Sequence, residues 1–134
     1  MIWAASLAYI TSIERKGKVI AMKINANETL QQYGTNPELD KLVDSDRVED
    51  RMEAAAQRYA LEKLKNDKSE KVRATVAARG YALESLMYDP SDEVRIEVIY
   101  QGYNLDWFIC RDKSCFIRDT ANYVKSLLEQ KAIA

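Results

Sequence analysis

Aspartate and arginine recur six residues apart along this chain, as Asp67/Arg73, Asp89/Arg95 and Asp112/Arg118, in the stretches DKSEKVR, DPSDEVR and DKSCFIR. A guanidinium and a carboxylate at one spacing could serve two chemistries: a stripe of cations for phosphate, or a row of ion pairs. An arginine already held by a carboxylate is a poor phosphate ligand, so the constant spacing favours the paired reading. Other chemistry-bearing groups are thin. The chain has no histidine, which removes the usual general base and the usual zinc nitrogen ligand. Its two cysteines, Cys110 and Cys115, form a C-x4-C that cannot complete a tetrahedral site, and they read as reduced thiols near a helix junction. No nucleophile elbow, phosphate loop or glycosidase-like carboxylate pair stands out. The expectation is a protein that is not an enzyme, with no catalytic residue, metal or cofactor.

The elements that must carry these pairs announce themselves by period. The arginine recurs as Arg51, Arg73, Arg95 and Arg118, at intervals of 22, 22 and 23. Tyr59, Tyr81 and Tyr103 follow the same step, as do Leu61, Leu83 and Leu105, and then Leu64, Leu86 and Phe108. Each copy reads as a helix and a shorter second helix. The aspartate, or the serine two residues on, can accept amides at a helix start, with Asp67 and Glu70 as a candidate capping box and Pro90 at a first helical position. Val72/Val76, Val94/Val98 and Ile117/Ala121 give each helix an apolar stripe. Gly80 and Gly102 suit a left-handed helix end, after which Y-x-L-x-x-L makes one or two further turns. The first copy, RVEDRMEAAAQRYALEKLK, lacks the glycine and is expected to run as one long helix. The last, from Asp112 to about Lys131, reads as a single capping helix.

These residues resemble HEAT-like repeats, and more closely the short leucine-rich-variant (LRV) type, over about residues 36–130. The resemblance implies an all-α, right-handed α-solenoid of about 22-residue HEAT-like or LRV-like units. It also implies a ladder between neighbouring units built from Asp67, Arg73, Asp89, Arg95, Asp112 and Arg118. The units fall at about 36–66, 67–88 and 89–111, with a capping helix at 112–131, within one helical-repeat domain spanning 26–134. Residues 1–25 stand apart. Either residues 6–13 and 18–24 pair as a β-hairpin, or Met22 is the biological start and the residues before it are a translated leader.

Charge narrows the partners. The formal net charge is −1, which gives no general pull toward nucleic acid or anionic membrane. Residues 67–88 carry four cations against three acids, while 89–111 carry two against five. An acidic middle unit sits badly with a nucleic-acid track, which leaves only the Lys68–Arg79 surface for that reading. The apolar run MIWAASLAYITSI is too short to span a bilayer. The useful signal is where one copy departs from its siblings. Ile96, Tyr100, Trp107 and Phe116 replace small, polar or charged residues, and they lie among Glu93, Glu97, Asp106 and Arg111. Exposed aromatics ringed by charge behave as binding hot spots, whereas a final helix folded over Trp107 and Phe116 would make them capping contacts instead. The expected partner-binding residues are therefore Ile96, Tyr100, Trp107, Phe116, Glu93, Glu97 and Arg111. The expected function is a cytoplasmic, non-catalytic protein-binding scaffold, adaptor or inhibitor, bacterial or phage by resemblance. Homo-oligomerisation through the same residues is the runner-up, and nucleic acid is third.

Overall fold

The computed structural model describes residues 31–133; the β-hairpin or leader expected before residue 26 lies outside them. The described chain is all-helical. Helix α1 spans Pro37–Val43, α2 Val48–Ala56, α3 Leu61–Leu64, α4 Glu70–Ala78, α5 Leu83–Leu86, α6 Asp92–Tyr100, α7 Leu105–Arg111 and α8 Cys115–Ile133. The longer helices α2, α4, α6 and α8 each pack on the next, and the short ones tuck beside them.

The starts of these helices follow from serine and aspartate acting together. Ser69 caps α4 by accepting the Lys71 amide, and the Asp67 carboxylate accepts the Ser69 amide at 2.8 Å. Asp89 does the same for Ser91, and Asp112 for Ser114, each at 2.9 Å. The aspartate shapes the turn and the serine is the cap, so the Asp67–Glu70 capping box does not form. Pro90 accordingly sits just before the cap residue Ser91, outside the helix it was expected to begin.

The stops show what the sequence pattern hid. The main chain turns left-handed at Gly80 (φ +79) and Gly102 (φ +74), and at Arg58 (φ +61) in the first copy. Two residues further on it does so again, at Ala60, Ala82 and Asn104. The expected single helix across residues 47–65 is therefore broken after Ala56, although no glycine is present. Leu61, Leu64, Leu83, Leu86, Leu105 and Phe108 must all point under the longer helices, where they are buried. In the first copy, burial of Leu61 and Leu64, roughly 1.5–3 kcal/mol each, offsets the roughly 1–2 kcal/mol that each left-handed residue there costs.

The core is the apolar stripe of each longer helix. Val72, Val76, Val94, Val98, Ile117 and Ala121 are all fully buried. Tyr59 is buried beneath the chain entering α1, where its hydroxyl accepts the amides of Gly34, Thr35 and Asn36 and donates to Asp40.

Candidate functional site

The arginine–aspartate pairs form joints between successive units. Arg73 donates Nη1 to the carbonyl of Asp67, six residues back, at 2.7 Å, and Nε to the carboxylate of Asp89, sixteen residues on, at 2.8 Å. Arg95 repeats this with the Asp89 carbonyl (2.7 Å) and the Asp112 carboxylate (2.9 Å), and also bonds Asp92. Arg51 does so with the Ser45 carbonyl and Asp67. Each aspartate is thus a three-way joint, with its carbonyl to its own arginine and its carboxylate to the preceding arginine and to the serine amide. Arg118 makes only the first half of the pattern, to the Asp112 carbonyl at 2.6 Å. Among the described residues no carboxylate completes its second half.

The residues expected at a binding surface fall on four separate places. Glu93, half-buried Ile96 and exposed Phe116 line one open groove together with Glu70, Pro90, Ser91 and Asp92. Tyr100 is only 6% exposed and Glu97 3%; both are held down where α6 meets its neighbours, so neither is a free hot spot. Burial raises the Tyr100 phenol above its usual range, helped by the charge of Glu97 and by Tyr123. Trp107 is half-buried, with its ring edge-on to Tyr88 and to Phe108 at 5.3 Å each. Arg111 stands exposed at the end of α7.

A second groove, of about 640 Å³, lies across α2, α4 and α6. It is lined by apolar Val48, Met52, Ala74 and Ala78, by the carboxylates Glu49, Glu70 and Glu93 at its rim, and by the buried Glu97. Glu70 and Glu93 line both grooves, so the two share an edge. Burial pushes the Glu93 carboxyl above its usual range, with the neighbouring Glu70 charge adding to the shift against a smaller opposing effect of Lys71. Lys71 and Arg79 are the cations of this lining.

Sequence reasoning did not pick out this groove, but the signal for it was present. Ala74 and Ala78 are the small residues that Ile96 and Tyr100 replace one unit later. Reading the departures for what is missing, as well as for what is added, locates the trough. Position 79 is also a departure, since arginine stands where the neighbouring copies have Gln57 and Gln101.

Among the described residues no group of three potential metal ligands comes together, and Cys110 and Cys115 are exposed free thiols. No described helix is long and apolar enough to cross a membrane. No family model matches the chain, and no curated protein or solved structure matches it.

Proposed function

We propose that the chain is a non-catalytic protein-binding scaffold, a right-handed α-solenoid of HEAT-like or LRV-like units that offers a preformed helical surface to another protein. The observation that carries this reading is the open groove of about 640 Å³ over α2, α4 and α6, with its apolar lining and carboxylate rim. A surface held by buried ion-pair joints loses little entropy when a partner settles on it. The left-handed positions at 58, 80 and 102 recur with the sequence period and support the repeat assignment. Two free thiols accord with a reducing, cytoplasmic setting.

The test is selection of random twelve-residue peptides displayed on phage against the full chain, followed by the Ala78→Trp variant. Ala78 lines the groove and is only half-buried, so an indole there fills the trough. Enriched peptides should lose binding to the variant. Peptides that ignore Ala78→Trp would reject the groove, and absence of any enrichment would reject the scaffold reading.

A second reading, self-association, has its own support. Phe116 and Tyr123 are each 56% exposed and lie seven residues apart on α8, close to one face. Light scattering showing a concentration-independent monomer would end it. Nucleic acid has no comparable support, because Lys71 lies among Glu49, Glu70 and Glu93, and Arg73 is engaged with Asp89.

A further inference from the structure

The groove over α4 has ends of opposite net sign. Where α4 finishes, Arg79 lines the groove, and its buried Nε meets no acceptor. Arg58 lies alongside, its Nη1 donating to the Arg79 carbonyl at 3.0 Å. Burial lowers the Arg58 guanidinium from its ordinary value, and the positive charge of Arg79 lowers it further. Among the described residues neither arginine has an ion-pair partner. Where α4 begins, the three carboxylates Glu49, Glu70 and Glu93 line the groove with one cation, Lys71. Half-buried like charges are relieved by an opposite charge brought from outside.

We propose that this groove receives an amphipathic helix of another protein lying antiparallel to α4, with Asp or Glu in its first turn on Arg58 and Arg79 and Lys or Arg in its last turn on Glu70 and Glu93. The inference rests on the scaffold reading and names the chemistry of its partner. Orientation follows from the helix dipole. Helices favour acids in the first turn and bases in the last, so only the antiparallel arrangement matches both ends. Ala74 and Ala78 let a second backbone approach closely between those ends. The nine residues of α4 give a contact of about 13 Å. Helix α8, the longest of the described helices, does not fit as the occupant, because it carries no acid in its first turn.

Three labelled fourteen-residue peptides, each with the same Ala/Leu centre, test this by fluorescence polarisation against the full chain. One carries two Glu first and two Lys last, one has these swapped, and one has Gln at both ends. The Glu-first peptide should bind at least tenfold more tightly than the other two, with the margin shrinking as salt rises. The swapped peptide is also the poorer helix, so the deciding comparison uses Arg79→Gln. That variant should erase most of the Glu-first advantage over the Gln peptide while the chain keeps its melting temperature. Equal binding of all three peptides would overturn the charge assignment and leave the groove standing as a docking surface. No binding at millimolar peptide would overturn both.

Discussion

Arg95 and Arg79 lie at the edges of adjacent helices and live in opposite circumstances. Arg95 is 4% exposed, and its guanidinium meets the Asp89 carbonyl and the carboxylates of Asp92 and Asp112. Arg79 has a buried Nε with no acceptor and a like-charged neighbour in Arg58. The first arginine recurs at 51, 73, 95 and 118, and the first three each meet the aspartate of the next copy. The second occurs once and, among the described residues, has no ion-pair partner. At these two arginines, recurrence goes with a carboxylate met inside the chain and departure with a buried Nε that meets no acceptor.

The comparison is broken most forcefully at Arg95. Arg95→Ala leaves the Asp112 side chain, 2% exposed, without its cation, which should cost about 3–5 kcal/mol. Urea unfolding reads this directly, and an unchanged midpoint would mean the joint carries no stability. Arg73→Ala should cost less, because Arg73 is 17% exposed in its pair with Asp89.

The helix stops come next in size. Gly80→Ala forces a side chain into φ +79, although the added carbon would meet only the Gln101 side-chain oxygen at an ordinary 3.5 Å. The expected loss is therefore backbone strain alone, about 1–2 kcal/mol. Arg58→Gly is the mirror experiment, relieving a left-handed arginine at φ +61. It should hold or raise the melting temperature while weakening capture of the Glu-first peptide. A variant that gains stability as it loses binding separates the scaffold from the site.

Glu93→Gln tests the acidic end of the groove. The folded-state pKa of Glu93 is raised, so protonated Glu93 stabilises the fold at low pH and that contribution is lost as pH climbs through the folded value. The amide should thus be stabilising near neutrality, by a few tenths of a kcal/mol after solvent screening, with the gain vanishing toward pH 3. Thermal melts of both chains across pH 3–8 check the sign. Smallest of all is Arg118→Ala, expected to fall within about 0.5 kcal/mol because no carboxylate completes that joint. A loss approaching that of Arg95→Ala would mean Arg118 is held by something the bridge pattern does not predict.

Much of the architecture was legible because the period was. Helix starts at Ser69 and Ser91 and the buried Val72/Val76 and Val94/Val98 pairs could be read from spacing, since serine, aspartate and valine act on neighbours within one turn. The break at Arg58 could not. Glycine is the usual signal for a left-handed stop, and there the signal was absent while the packing of Leu61 and Leu64 imposed the conformation. The expected binding patch was legible only as a list of unusual residues. Ile96 and Phe116 do line one groove with Glu93, but Tyr100 is buried under α8 and Trp107 is turned toward Tyr88. Spacing along the chain does not tell on which side of a stacked helix a bulky residue ends.

The sequence by itself determined the all-helical class, the position of most helix starts and the arginine–aspartate inventory, because these depend on contacts within one unit or on exact recurrence between units. Only the tertiary structure decided which carboxylate each arginine meets, that Arg58 breaks a helix without glycine, and that Ala74, Ala78, Arg79, Glu70 and Glu93 share one groove. Those outcomes turn on how neighbouring helices pack, where a side chain buried against one helix is exposed or paired against another.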